Sequence, residues 1–262
     1  MDKEDLFKHA RDPKNIPGIY NYCDRWCERC QFTSRCLNCS LDEKQNYRLH
    51  ERDITNASFW EKIKESLQLA VSLIEDMAEK EGINLDSIEI ERDENEKNLV
   101  HVLSYMSKTY ADMVDDFYNT NAHLLENEAQ KQDANSHLKL IQPQTTGASV
   151  SLELEDVVEV IKWYQYPIHF KLSRALKSKE NEKNLKLEDF PKDSDGSAKI
   201  ALIEIDRSIS AWGELLNHFA SQRKEILEII SYLKRIREIA ENEFPNARAF
   251  IRPGFDEIEQ NG

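Results

Sequence analysis

Glycine and proline are scarce in this chain of 262 residues, which contains seven of each. Proteins built from β-sheets need both residues at their many turns, so the shortage disfavours an all-β fold. No apolar run reaches the roughly 18 residues that a membrane-spanning helix needs. The first residues, MDKEDLFKHARDPKN, also lack the apolar stretch of a secretory signal. We therefore expect a cytoplasmic protein that has no membrane segment.

Positive charge is in deficit as well. The 35 lysine and arginine residues are outnumbered by 49 aspartate and glutamate residues, which gives a formal net charge of -14. Non-specific binding to nucleic acid needs a basic face that displaces counterions, and docking on anionic lipid needs a similar face. We therefore expect neither nucleic acid nor membrane as a partner. A protein partner or a second copy of the chain is the alternative that remains.

Most of the sequence follows the period of an amphipathic helix, and no useful stretch alternates as a strand would. Gly82 supplies a stop signal for the first helix, and Pro167 predicts a kink or break at residues 163–167 within the third. The last helix is so long that it must overhang the others, fold back or pair with a second subunit. The predicted helices cover residues 58–81, 93–131, 152–177 and 198–243.

Four long helices joined by modest loops predict an all-α fold, an antiparallel four-helix bundle with an N-terminal metal-binding cysteine segment. Residues 134–149 are rich in turn residues and form the best candidate for a linker. We expect the cysteine-rich segment to cover residues 1–53 and to pack on the bundle. The helical bundle is then residues 54–245, and an irregular tail covers residues 246–262.

Cysteine is absent from the sequence except within residues 23–39, which hold all five: Cys23, Cys27, Cys30, Cys36 and Cys39. Soft anionic thiolates are preferred ligands of zinc and of iron–sulfur clusters. An odd number of cysteines in so short a stretch fits metal ligation better than a disulfide framework. The segment therefore predicts one metal centre, either a 4Fe–4S cluster or zinc.

Two sets of four ligands are compatible with the spacing. The pairs Cys27/Cys30 and Cys36/Cys39 are two CxxC units of the kind that binds zinc, although only five residues separate them. Alternatively, Cys23 joins Cys27, Cys30 and Cys36 around a cluster. Because Cys23, Cys27 and Cys30 are spaced four and three residues apart, a helical turn would place them on one face. Trp26, Phe32 and Leu37 are candidates to shield the metal.

The stretch CERCQFTSRC at residues 27–36 resembles the C-terminal cysteine cluster of the iron–sulfur RecB-type nucleases. The resemblance matches Cys27, Cys30 and Cys36, and it implies a style of cluster ligation without implying a nuclease. The longer string IPGIYNYCDRWCERCQFTSRC resembles the opening of a family of uncharacterised bacterial proteins. Residues 193–212, DSDGSAKIALIEIDRSISAW, resemble a second stretch of the same family. This resemblance implies a coherent fold and supplies no activity.

The sequence contains no recognisable catalytic constellation. It has no P-loop, GxGxxG, HExxH or GxSxG motif, and no histidine follows an acidic residue by three positions, as a di-iron site in a bundle requires. We therefore assign no catalytic residue and expect an interaction or scaffold module whose metal is mainly structural. The alternative is a redox, electron-transfer or enzymatic protein that uses an iron–sulfur cluster.

Asp206 is the acidic residue that we expect near the core of the last helix, because it lies between the apolar positions Leu202 and Ile209. Two pairings are predicted for it, with His169 or with Arg174 of the third helix. Such a pair would either line a cavity or act as a structural ion pair between helices.

Overall fold

The computed structural model of the protein describes residues 3–44, 57–84, 101–139, 154–185 and 192–257. Across these ranges the chain is predominantly helical and contains no strand, as the sequence predicts. None of the helices in them is long and apolar enough to cross a membrane. The α-helices are α1 (Lys3–Ala10), α2 (Leu37–Lys44), α3 (Ala57–Glu81), α4 (Val102–Lys139), α5 (Leu154–Tyr164), α6 (Pro167–Leu185), α7 (Asp193–His218) and α8 (Arg223–Glu243).

The chain divides into two units. The first unit comprises Met1–Leu99 together with Arg252–Gly262, and the second unit is Val100–Ile251. The first unit therefore contains the cysteine segment, α1 to α3 and the C-terminal residues, and the second unit contains α4 to α8. The domain boundaries expected after residues 53 and 245 stay a prediction.

The core of the second unit surrounds α7, which packs against α5, α6 and α8. Trp212 of α7 is fully buried, and its ring meets that of Phe117 edge to face at 4.9 Å. The Trp212 indole N–H donates to the Tyr110 hydroxyl at 3.2 Å, so its one polar atom is satisfied. Long apolar stripes on α7 and its neighbours therefore supply the burial that holds these helices together.

Hydrogen bonds fix the directions of neighbouring helices in the second unit. Asn121 of α4 donates to Glu225 near the start of α8, and His101 lies 3.8 Å from Glu243 at the end of α8. The two helices therefore run in opposite directions. Gln165 donates to the Ala111 carbonyl at 2.9 Å, just before α6 begins. The Ser107 hydroxyl, one turn earlier on α4, is 3.0 Å from His169 of α6, so α4 and α6 are also opposed.

Two local stop signals act as the sequence predicts. Helix α3 ends at Glu81, and Gly82 follows with φ +68°, a left-handed conformation that glycine adopts without strain. Helix α5 ends at Tyr164 and α6 begins at Pro167, which is a first helical position where the missing N–H costs nothing. The third predicted helix is therefore two helices with a break at the predicted place.

Other predicted boundaries are wrong. The helix expected over residues 198–243 is two helices, α7 and α8, separated by Phe219 and the 3₁₀ turn Ala220–Gln222. The chain folds back here, which is one of the three outcomes expected from the length of that helix, and the apolar stripes of α7 and α8 bury each other. Helix α4 runs to Lys139, so residues 134–139 of the predicted linker are helical. The remainder of that linker and residues 93–100 of the second predicted helix lie outside the described residues.

Candidate metal centre

The backbone around Cys23 is not helical, which corrects the expectation that a helical turn groups Cys23, Cys27 and Cys30. The Asp24 side chain accepts a hydrogen bond from the Trp26 N–H at 3.2 Å, and the intervening Arg25 has φ +60°. A left-handed residue cannot continue a right-handed helix. The chain therefore turns sharply between Cys23 and Cys27.

Two similar tight turns present the other four cysteines. Residues Cys27–Arg29 form a 3₁₀ turn closed by the Cys30 N–H bonding to the Cys27 carbonyl at 3.2 Å. Residues Thr33–Arg35 form the second turn, closed by the Cys36 N–H at 3.3 Å from the Thr33 carbonyl. Helix α2 starts directly afterwards and carries Cys39 in its first turn. The Cys27/Cys30 pair is thus built on one 3₁₀ turn, whereas the Cys36/Cys39 pair joins the end of the second turn to the first turn of α2.

The four thiols of these turns influence one another. Burial raises the pKa of the Cys27 thiol; a hydrogen bond with Cys39 lowers it, and the neighbouring Cys36 and Cys30 raise it further. Burial also raises the pKa of the Cys39 thiol, and its hydrogen bonds with Cys27 and Cys36 act in the same direction. All five cysteines are free thiols. Cys36 and Cys39 are buried in the same cluster, and Cys27 packs against it.

Backbone groups engage two of the sulfurs. The Phe32 N–H donates to the Cys30 sulfur at 3.4 Å. The Cys23 thiol instead donates to the Tyr20 carbonyl at 3.6 Å. The Cys30 sulfur thus accepts from the backbone, whereas the Cys23 sulfur donates to the preceding 3₁₀ turn, Ile19–Asn21.

Apolar side chains cover the thiols on one side. Ile16 and Ile19 are buried together with Cys36 and Cys39, and Cys27 packs against this cluster. The Ile16 N–H donates to the Arg35 carbonyl at 2.9 Å, so it joins the preceding loop to the second cysteine turn. Trp26 is buried as well, but Phe32 and Leu37, the other residues expected to shield the site, are only partly buried.

The C-terminal residues complete this cover. Phe255 meets Phe32 edge to face at 5.0 Å and packs against the cysteine cluster. Gly254 has φ +75°, and a Cβ atom there would lie 2.9 Å from the Ile16 Cδ1 and 3.0 Å from the Ile19 Cδ1. Sequence reasoning missed these two residues, because nothing local links Gly254 to a segment more than 200 residues earlier.

Arginine side chains surround the segment at its surface. Arg25, Arg29 and Arg35 are exposed, and the Arg29 guanidinium lies 4.5 Å above the Trp26 ring. Stacking on an indole holds a cation near the segment at little cost in hydration. All three guanidinium groups therefore lie at the surface, in contact with solvent.

The thiols are suitable donors for a metal ion, but in this structure they are not arranged around a common point. In the ranges described, no group of three or more His, Cys, Asp or Glu side chains is positioned to hold a metal ion. Zinc needs four sulfurs at about 2.3 Å from one point. The four thiols are neighbours that would have to rotate toward a common centre. Their number and chemical type are those of a tetrathiolate site.

The other predicted polar site is a surface ion-pair network. Asp206 accepts from Arg237 at 3.1 Å and from Arg248 at 2.7 Å. The two predicted partners bond elsewhere, Arg174 with Asp193 and His169 with Ser107. The predicted pairs of Asp206 with His169 or Arg174 are therefore wrong, because the fold-back of α8 brings Arg237 to Asp206 instead.

A cavity of about 390 Å³ lies at the start of α7 in the second unit. Glu182 accepts from the Ser194 N–H at 2.9 Å and from its hydroxyl at 2.6 Å, so the helix start is already capped. Three basic and three acidic side chains line the cavity, so its charge favours neither anions nor cations. The charged lining residues are Lys179, Glu182, Lys183, Lys192, Asp195 and Glu243.

Comparison with known proteins returned no match to any family profile, to any curated protein or to any solved structure.

Proposed function

We propose that the cysteine segment is a structural zinc site with Cys27, Cys30, Cys36 and Cys39 as its ligands. The burial of Cys39 together with Cys36, in a cluster against which Cys27 packs, is the observation that carries the proposal. It supports Cys39 as the fourth ligand, and so supports the two CxxC pairs over the set that includes Cys23. Two CxxC units are a ligand pattern of structural zinc, although only five residues separate them here.

The surroundings of the thiols support a structural role. The site is backed by Ile16 and Ile19, closed by Phe255, and receives the Phe32 N–H at the Cys30 sulfur. When bound, zinc would supply four bonds between two short turns that have little apolar surface of their own. Zinc undergoes no redox change, so such a site stabilises the fold without chemistry at the metal.

We further propose that the protein is a cytoplasmic interaction or scaffold module. Five free thiols and no disulfide are consistent with a reducing compartment. The body would be an antiparallel four-helix bundle formed by α4, α5 with α6, α7 and α8, a different set from the one expected from sequence. The opposed directions of α4 with α6 and α8 support this arrangement.

The ligand set can be tested by comparing two matched variants. The full chain, purified without oxygen, should be colourless and contain about one zinc ion per chain by elemental analysis. Cys39→Ser should lose the zinc, while Cys23→Ser should retain it. A brown protein that contains equal amounts of iron and sulfide would show that the site holds an iron–sulfur cluster instead of zinc. Loss of zinc in Cys23→Ser with retention in Cys39→Ser would overturn the ligand set, and absence of both metals would overturn the metal site.

A further inference from the structure

Helix α3 has an apolar stripe that faces solvent. Leu67, Val71, Ile74 and Met77 are between 54% and 62% exposed, and Ala70 between them is exposed too. The described residues contain twelve exposed large hydrophobic side chains, and four of these twelve fall within this stretch. Isolated exposed apolar residues are ordinary, but a contiguous stripe of them marks a binding surface.

The spacing of the stripe is that of a helix that pairs with another helix. Leu67, Ala70, Ile74 and Met77 are separated by three, four and three residues, which is the spacing of the a and d positions of a coiled coil. Ala70 lies near the middle of the stripe, where a small side chain lets two helix backbones come close. The surface is therefore suited to a second amphipathic helix rather than to a flat or concave partner.

The distribution of charge along α3 indicates which helix is its partner and in which direction that partner runs. Residues 57–69 contain two lysines and two glutamates, whereas residues 70–81 contain four acidic residues and one lysine. A parallel pair of α3 helices would place the two acidic halves side by side. An antiparallel pair would place each acidic half against the neutral half of the other copy, where Lys64 is exposed.

We propose that α3 is a homodimerisation helix that pairs antiparallel with α3 of a second copy of this chain. The stripe is self-complementary about its centre, because Leu67 and Ile74 lie on opposite sides of Ala70 at similar distances. A two-fold pair of this kind buries the same residues from both copies. Lys64 of each copy lies opposite the acidic half of the other.

A membrane surface is a less suitable partner for the same stripe. Helices that lie on membranes have lysine and arginine on their polar face, which attract anionic lipid. In α3 the polar residues near Ile74 and Met77 include Glu75 and Glu79, and both are exposed. Contact with lipid would place these carboxylates against anionic headgroups.

The first test is the oligomeric state of the full chain by sedimentation velocity from about 1 to 100 μM, a range typical of transient pairs. A concentration-dependent dimer is expected. Leu67→Gln with Ile74→Gln should raise the dissociation constant at least about 100-fold, because glutamine keeps helix propensity but removes the apolar stripe. The matched control Gln68→Ala, beside the stripe, should leave it unchanged. A monomer at every concentration, or a dimer unaffected by the double substitution, overturns the proposal.

The second test measures orientation in the unmodified chain. Dimers mixed from ¹⁴N and ¹⁵N copies are treated with a zero-length carbodiimide cross-linker, and peptides joining the two isotopes are identified. Lys64 should link to Glu75 or Glu79 of the other copy. Within one helix Lys64 and Glu75 are about 16 Å apart along the axis, which is too far for this reagent. Links from Lys64 to Glu61 or Glu65 of the other copy would indicate a parallel pair and would overturn the antiparallel arrangement.

Discussion

The buried cluster of the cysteine segment and the core of the second unit differ in what they are made of. The buried cluster next to the cysteine turns consists of Ile16, Ile19, Cys36 and Cys39, so half of its members are thiols. The second unit buries complete side chains of Trp212, Tyr110, Tyr164 and Phe117 around a central helix. Apolar burial alone is sufficient for a unit of the second kind, whereas a small cluster needs an additional cross-link.

The local structure differs in the same way. The second unit consists of helices of 11 to 38 residues, which lie side by side and share long stripes. The cysteine turns are 3₁₀ turns of three residues each, with poorer hydrogen-bond geometry. In the cysteine segment, thiols therefore occupy buried positions where a larger domain would have aliphatic side chains. The experiments that follow separate the two regions.

Removing the proposed zinc ion should produce the largest difference between the regions. Structural zinc contributes on the order of 10 kcal/mol to the folding of small segments. A chelator at neutral pH should therefore abolish hydrogen-exchange protection of the Cys30 and Cys36 amides, whose bonds close the two turns. The amides of α7 should keep theirs. An equal loss of protection in α7, or no loss at Cys30 and Cys36, would contradict this difference between the two regions.

Truncating the largest buried side chain of the second unit should destabilise that unit and leave the cysteine segment unaffected. Trp212→Ala removes a buried ring and its hydrogen bond to Tyr110, at a cost of about 3 to 5 kcal/mol in the free energy of unfolding. Chemical denaturation of the second unit reports this loss, while zinc content stays unchanged. Phe170→Ala is the control, since that ring is 65% exposed and its loss should cost less than about 0.5 kcal/mol. Equal effects of the two substitutions would contradict the assignment of the core.

Two glycines with nearly the same backbone conformation allow a finer test of the first unit. Gly254→Ala combines a left-handed φ of +75° with contacts to Ile16 and Ile19. Gly82→Ala has a φ of +68° and open space around the new methyl group. Each should cost about 1 to 2 kcal/mol for the conformation, and Gly254→Ala should additionally increase exchange of the Ile16 amide. If both variants leave Ile16 equally protected, the C-terminal residues do not cover the cluster.

The smallest effect is expected at an ion pair of the second unit. Lys179 donates to the Glu243 carboxylate at 2.8 Å and thereby lowers the pKa of Glu243. A lowered pKa in the folded state adds stability above the unfolded pKa, and this stability is lost as the pH falls through the folded pKa.

Lys179→Met should therefore cost about 1 kcal/mol at pH 7, since solvent screens this partly exposed pair. The difference from the parent protein should shrink below about pH 4.5, near the ordinary pKa of glutamate. Thermal unfolding at pH 7 and pH 3.5 measures this difference. Lys108→Met, which removes an exposed ion pair, is the control. A difference that grows on acidification would contradict the assignment.

Helix ends that depend on a single residue can be predicted from the sequence, whereas features that depend on contacts between distant residues cannot. Gly82 and Pro167 act on their own backbone, so their stops were predictable. The break at Phe219 has no such signal, because Phe219 is itself apolar and continues the stripe. Only the burial of α8 against α7 favours the turn there. In the cysteine segment the residue types indicated a metal, but the pairing of Cys39 with Cys27 depends on a turn that spacing alone does not fix.

The cover of the cysteine cluster by Phe255 has a consequence for how the chain is made. Cys27 to Cys39 leave the ribosome early, but the residues that close over them follow the whole of the second unit. During synthesis the thiols must therefore remain accessible until Gly254 and Phe255 arrive. The thiols are open to oxidants during this interval, and any delay in folding α4 to α8 lengthens it.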